Sequence, residues 1–117
     1  MQPTLSLLVL RSAVPERLAA FYAHLGVTFE KHRHGSGPEH FSATLNGLVF
    51  EIYPLTEGEA GPRGLRIGFA VEDVAGMFAT WVEAGGAAVV PPKMSEWGLR
   101  AVLDDPEGHR IELTQAK

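Results

Sequence analysis

Two glutamates carry the first sign of chemistry in the chain. Glu51 stands between Phe50 and Ile52, and Glu112 between Ile111 and Leu113. Successive side chains of a strand point to opposite faces, so each carboxylate must face away from the apolar pair that flanks it. Each also follows a turn glycine by four residues, Gly47 and Gly108, and glycines and glutamates alike are offset by 61. Equivalent carboxylates that converge on one space would suit a divalent cation, a cationic ligand or acid–base work.

The elements that must hold these groups follow from turn chemistry. Asn46-Gly47 separates two alternating runs, and a two-residue type I′ turn there fixes the register. It pairs Leu45 with Leu48, Ser42 with Glu51 and His40 with Tyr53. His40, Ser42, Thr44, Val49, Glu51 and Tyr53 then share a mixed face, whereas Phe41, Ala43, Leu45, Leu48, Phe50 and Ile52 share an oily one. His40 falls diagonal to Glu51, roughly 7 to 8 Å away at Cα, within reach of a shared ligand or metal.

Amphipathic helices are predicted at about Val14–Leu25 and Val74–Ala84. The first has the stripe Leu18, Phe21, Tyr22, Leu25 with Pro15 in its first turn and Gly26 as its stop. The second has Asp73 as N-cap, the stripe Phe78, Trp81, Val82, and Gly85-Gly86 as its stop. Strands are expected at about Thr4–Arg11, Val27–His34, Glu39–Leu45, Leu48–Pro54, Gly64–Val71, Ala87–Pro91, Leu99–Asp104 and His109–Gln115.

This order is strand, helix, three strands, given twice, with the helix-ending glycines Gly26 and Gly85 offset by 59. Such agreement marks a duplication. One domain of two repeats results: a first βαβββ module over 1–55, a linker over 56–63 and a second module over 64–117. Four strands and one helix cannot cover both faces of a sheet, so the natural solution docks the two sheets around a shared space.

Composition narrows the chemistry. The 117 residues include no Cys, which removes disulfides, thiolate metal sites and thiol nucleophiles. The formal net charge is −4, with no basic block beyond Lys31-His32-Arg33-His34. Nucleic acid is therefore not an expected partner. No run approaches the ~20 apolar residues of a membrane span, and the N-terminal segment lacks the cationic start and cleavage pattern of a secretory signal. The expectation is a cytoplasmic protein without a membrane partner.

The segment Leu18-Ala19-Ala20-Phe21-Tyr22 with Leu25-Gly26, the strand Phe50-Glu51-Ile52-Tyr53, and Asp105-Pro106-Glu107-Gly108-His109-Arg110-Ile111-Glu112-Leu113 resemble the vicinal oxygen chelate superfamily. That group holds glyoxalase I, fosfomycin resistance enzymes, extradiol dioxygenases, methylmalonyl-CoA epimerase and bleomycin-binding proteins. The resemblance implies an α+β fold of two tandem βαβββ modules, an open eight-stranded mixed barrel around a cleft, and a homodimer. It also implies metal ligands from the first strand of each module, commonly His, and from the last, commonly Glu. Glu51 and Glu112 match the last-strand positions. Leu5, Ser6, Leu7 and Arg66 occupy the first-strand neighbourhoods, so the two-His, two-Glu set is half absent.

A catalytic divalent site normally needs about three protein ligands, and only His40 is placed to substitute for a missing one. An inward Arg66 would repel a cation and pair instead with Glu51, Glu112 or an anionic ligand. The reading that results is a binder of a small organic molecule, lined by Ser42, Tyr53, Arg66, Trp97 and Arg100 as well as His40, Glu51 and Glu112. In the bleomycin-resistance style, acidic clefts would attract a cationic drug and sequester it. No cofactor is called for beyond a divalent metal at an atypical His40, Glu51, Glu112 site. The alternative is a glyoxalase-type lyase or isomerase in which those three residues are catalytic, with metal or as an acid–base set; extradiol dioxygenase chemistry is not expected.

Other groups have plainer readings. His32 and His34 alternate onto one face and could clip a metal, but a polar strand end accounts for them. Trp97 with Met94 could form a flexible hydrophobic lid over the cleft, or Trp97 could equally pack under a loop. Arg100 reaches the Glu112 face if the second turn holds three loop residues and the opposite face if it holds two or four.

Overall fold

The computed structural model describes residues 1–58, 61 and 63–116. The chain forms two compact units, Met1–Ala60 and Gly61–Lys117. Of the linker expected over 56–63, Glu59, Ala60 and Pro62 lie outside the described residues.

The first unit runs β1 (Leu7–Ser12), α1 (Pro15–Ala23), β2 (Glu30–His32), β3 (His40–Leu45) and β4 (Leu48–Pro54), with its sheet in the order β1-β4-β3-β2. The second runs β5 (Arg66–Val71), α2 (Val74–Glu83), β6 (Ala87–Ser95), β7 (Gly98–Asp104) and β8 (Arg110–Gln115), in the order β5-β8-β7-β6. Each sheet is mixed, with its first and last strands parallel and the remaining pairs antiparallel. The chain is thus built of two tandem βαβββ modules of one topology, as the family resemblance implies. No described helix is long and apolar enough to cross a membrane.

Local chemistry explains most element ends. Asn46 and Gly47 adopt φ of 46° and 88°, the pair of positive values that a type I′ turn requires. The resulting pairs include Leu45 with Leu48 and Ser42 with Glu51, the register that the turn residues dictate. In α2 the Asp73 carboxylate accepts the Gly76 N–H at 2.9 Å, satisfying a helix-start donor. In α1 the first turn relies on Pro15, and the Ser12 hydroxyl accepts the Val14 N–H just ahead of it at 3.0 Å. Gly86 must be glycine for another reason. A Cβ there would stand 2.9 Å from the Trp81 carbonyl oxygen and 3.1 Å from that of Asp104.

Each module buries the helix-facing side of its own sheet. Leu18, Phe21 and Tyr22 of α1 are buried with Leu10, Ala43, Phe50 and Ile52, and Tyr22 meets Phe50 edge-on with ring centroids 4.9 Å apart. In the second module Val74 and Trp81 are buried with Ala101, Leu103, Ile111 and Leu113, and Trp81 meets Phe69 at 6.0 Å. Full burial of such side chains contributes roughly 1.5–3 kcal/mol each.

Three strands depart from expectation. β1 begins at Leu7 rather than Thr4, because its first paired partner is Val49. β2 shrinks to three residues, because only Ser42, Phe41 and His40 oppose it. β6 passes through Pro91-Pro92 to Ser95, where the sequence suggests a loop after Pro91. Proline is tolerated there because β6 is an edge strand and its register shifts between Ala88 and Val90 and again between Val90 and Lys93. Trp97 consequently sits with Glu96 at the tip of a two-residue hairpin between paired Ser95 and Gly98.

Candidate functional site

In the first module, alternation along β3 and β4 turns His40, Ser42, Glu51 and Tyr53 away from the helix. Ser42 opposes Glu51 directly and stands on the other side across from Glu30. The His40 imidazole is 1% exposed and stacks on the Tyr53 ring, with centroids 4.1 Å apart and planes 6° apart. Its Nε2 lies 3.5 Å from Glu51 Oε2 and 3.4 Å from the Tyr53 hydroxyl, while its Nδ1 lies 3.3 Å from the Pro38 carbonyl oxygen.

Each tautomer therefore has an oxygen to serve. With the proton on Nδ1 the ring donates to Pro38 and can accept from Tyr53; with the proton on Nε2 it can donate to Glu51. A buried imidazole beside a carboxylate and a phenol is equipped to accept and return a proton. Arg11 adds a cation to this face, its guanidinium 5.1 Å from the Tyr53 ring centroid.

In the second module the same backbone position holds a different site. The turn before β8 has five loop residues, Asp105 to His109, between paired Asp104 and Arg110. An odd count, like three, puts Arg100 on the Glu112 face. Arg100 Nη2 donates to Glu112 Oε1 at 2.6 Å, and Arg66 Nη1 donates to the same oxygen at 3.3 Å. The Arg100 hydrogen bond is the first cause that holds the Glu112 carboxyl below the usual carboxylate range, opposed by partial burial and assisted by the Arg100 and Arg66 charges. Glu112 is thereby kept ionised and already partnered.

These three side chains form one wall of an open hollow of about 1240 Å³ within the second unit, which Ala70, Leu99, Thr114 and the β6–β7 hairpin complete. Met94 and Trp97, 70% and 69% exposed, stand at that hairpin. Arg66 and Arg100 balance Glu96 and Glu112 in charge along the lining. The wall is therefore electrically balanced, unlike the acidic surface that the net charge suggests.

The first strands supply no metal ligand beside either glutamate. Val9 pairs with Glu51 and Leu7 with Val49, while Gly68 pairs with Glu112 and Arg66 with Arg110. The residues present thus do not fit the two-His, two-Glu set of the family resemblance. His109 is 3% exposed and bonds Asp105 at 2.8 Å inside the loop before β8. One grouping is absent from the sequence reading: the rings of His32 and His34 lie 6.0 and 5.2 Å from that of His40. Its signal was the same-face spacing of His32 and His34, but only the β2–β3 register adds His40 to the pair.

Comparison with known proteins agrees with this architecture. Residues 7–114 match the family described as Glyoxalase-like domain. A glyoxalase-related enzyme from Fulvimarina pelagi superposes with a TM-score of 0.79 at 22% identity, over 98% of this chain and 89% of that one. An antibiotic-binding protein from a Streptomyces species gives 0.72 at 24% identity, over 99% and 98%. A glyoxalase/bleomycin resistance protein/dioxygenase family enzyme from Burkholderia phytofirmans gives 0.68 at 16% identity, over 95% and 97%. At these identities the structures establish a common fold. No curated protein matches the chain.

Proposed function

The chain belongs to the glyoxalase-like domain family of the vicinal oxygen chelate superfamily, and from that premise we propose that it binds a small organic molecule against the polar faces of its sheets, without the family's two-His, two-Glu metal set. The observation that carries this reading is the Arg66–Glu112–Arg100 cluster on the wall of the second-module hollow. Glu112 draws both guanidiniums to one oxygen and fixes their direction, leaving their other N–H donors for an oxygen-rich or anionic edge of a ligand. Trp97 and Met94 offer an aromatic face and an adaptable thioether to its apolar body. A ligand with a planar apolar core and a polar rim matches both. Ser42, Tyr53, His40 and Glu51 give the first module its own polar contacts, and the homodimer belongs to the same reading.

A second reading, a lyase or isomerase, draws on the 3.5 Å contact between His40 and Glu51. There His40 would move a substrate proton with Glu51 as its partner, and Glu112, held ionised by two guanidiniums, would orient substrate rather than act as base.

Calorimetric titration with polycyclic aromatic antibiotics, cationic antibiotics, thiol conjugates and acyl thioesters tests both. Binding of at least one compound, recovered unchanged, with Arg100→Ala and Trp97→Ala each weakening it about tenfold, roughly 1.4 kcal/mol, is the expected outcome. Conversion of the compound, abolished by His40→Ala or Glu51→Gln, would establish the enzyme instead. Silence across the whole panel would overturn both readings.

A further inference from the structure

We propose that the first module carries a transition-metal site of its own, formed by His32, His34 and His40, that takes a zinc-class divalent cation. None of the three occupies a position where the family resemblance puts a ligand, although His40 touches one such position, Glu51, at 3.5 Å, and the site goes beyond the ligand-binding reading above. His32 closes β2, His34 lies two residues further on, and His40 opens β3.

The hairpin brings them together by register. His32 and His40 are direct partners across the antiparallel β2–β3 pair. Facing Cβ atoms in such a pair are roughly 4.5–5.5 Å apart. His34 follows on the same side, and the chain turns immediately behind it, the Gly37 N–H donating to the His34 carbonyl at 3.0 Å. The ring centroids of His32 and His34 are 6.1 Å apart, completing a triangle with His40. One ring nitrogen from each residue lies within 4.8 Å of the other two. A zinc ion with Zn–N bonds of ~2.0–2.1 Å requires these atoms to draw together by about an ångström. His34 is exposed and His32 partly so, which leaves their side chains room to rotate.

Two carboxylates, Glu30 and Glu51, stand beside the rings, while the Arg11 guanidinium lies 5.1 Å from the centroid of the Tyr53 ring on which His40 stacks. Alternation puts Lys31, Arg33 and Glu39 on the opposite side of the hairpin, where Glu39 pairs with Lys31 at 3.6 Å and Arg33 at 3.2 Å. The imidazole side is thereby kept clear of those charges. His40 is anchored by its stack on Tyr53, and whichever nitrogen meets a metal, the other faces an oxygen: Pro38 carbonyl at Nδ1, or Glu51 and Tyr53 at Nε2. His32 Nε2 lies 3.2 Å from Glu30 Oε2. An oxygen behind a ligating imidazole fixes its tautomer and raises its basicity, the support that metal-bound histidines ordinarily have. Three neutral imidazoles without a thiolate suit Zn²⁺, Ni²⁺ or Cu²⁺ and leave a coordination position for water or a ligand oxygen.

The test uses the full chain, expressed without a histidine tag and stripped with chelator, titrated with Zn²⁺ alone by calorimetry. NMR of the histidine rings follows in parallel. One equivalent per chain is expected, with the ring signals of His32, His34 and His40 moving together and those of His24 and His109 unchanged. His34→Ala, at an exposed position, should keep the circular dichroism spectrum and lower zinc affinity about tenfold or more. His40→Ala should abolish binding, but it removes a buried ring, so the His34 variant is decisive. Undiminished zinc binding in His34→Ala, or no stoichiometric binding by the wild-type chain, would overturn the proposal.

Discussion

Glu51 and Glu112 occupy the same place in two copies of one module, and their surroundings are opposite. Glu51 lies across from Ser42 and Val9, with His40 two residues before Ser42. Glu112 lies across from Val102 and Gly68, with Arg100 two residues before Val102 and Arg66 two before Gly68. By register His40 and Arg100 are therefore equivalents. One copy places a titratable ring diagonal to its carboxylate and the other a permanent cation. The duplicated backbone determines where a carboxylate points, and the diagonal neighbour on the next strand determines what that carboxylate can do. Proton and metal chemistry is accordingly what is proposed for the first module, and the holding of a polar group for the second.

The comparison can be strained most at the cores. Tyr22 and Trp81 are equivalent helix positions, both completely buried. Replacing either by Ala should cost about 3–5 kcal/mol, measured by chemical denaturation. A loss below about 1 kcal/mol at one site would show that its module does not depend on the helix as its twin does.

The glutamates themselves should separate next. Glu112→Gln removes the charge that two guanidiniums share and should cost about 1 kcal/mol at neutral pH, whereas Glu51→Gln should cost less. The sign with pH follows from the lowered Glu112 pKa. Its contribution is complete above the unfolded carboxylate range and disappears as pH falls through the folded value. The stability gap between wild type and Glu112→Gln should therefore close in acid, and a gap independent of pH would break the comparison.

The smallest effect belongs to the two guanidiniums. Arg66 is 57% exposed at its side chain and 3.3 Å from Glu112, against 24% and 2.6 Å for Arg100. Arg66→Ala should cost no more than about 0.5 kcal/mol and Arg100→Ala more than that. Equal losses would mean that the second module divides its hold on Glu112 evenly.

Much of this was legible residue by residue where chemistry is local. Asn46-Gly47 admits one economical turn, so β4 could be read end to end and the faces of His40 and Glu51 with it. Asp73 and Gly85-Gly86 bounded α2 for equally local reasons. The expected end of β6 failed because proline disfavours a strand only where a partner needs its N–H, and the edge position of β6 is a property of the sheet. The side taken by Arg100 depended on a loop count that Asp105-Pro106-Glu107-Gly108 leaves open, since His109 belongs to the loop rather than to β8.

The amino-acid order by itself determined the duplicated module and the face taken by both glutamates, because alternation and turn conformation act over a few residues; the half-absent ligand set is what the family resemblance implied. Tertiary structure decided that Arg66 and Arg100 share one oxygen of Glu112, and that His40 joins His32 and His34. Those contacts depend on which strands become neighbours and in what register, and pairing across 12 or 46 positions of chain is set by the packing of whole sheets rather than by any short segment.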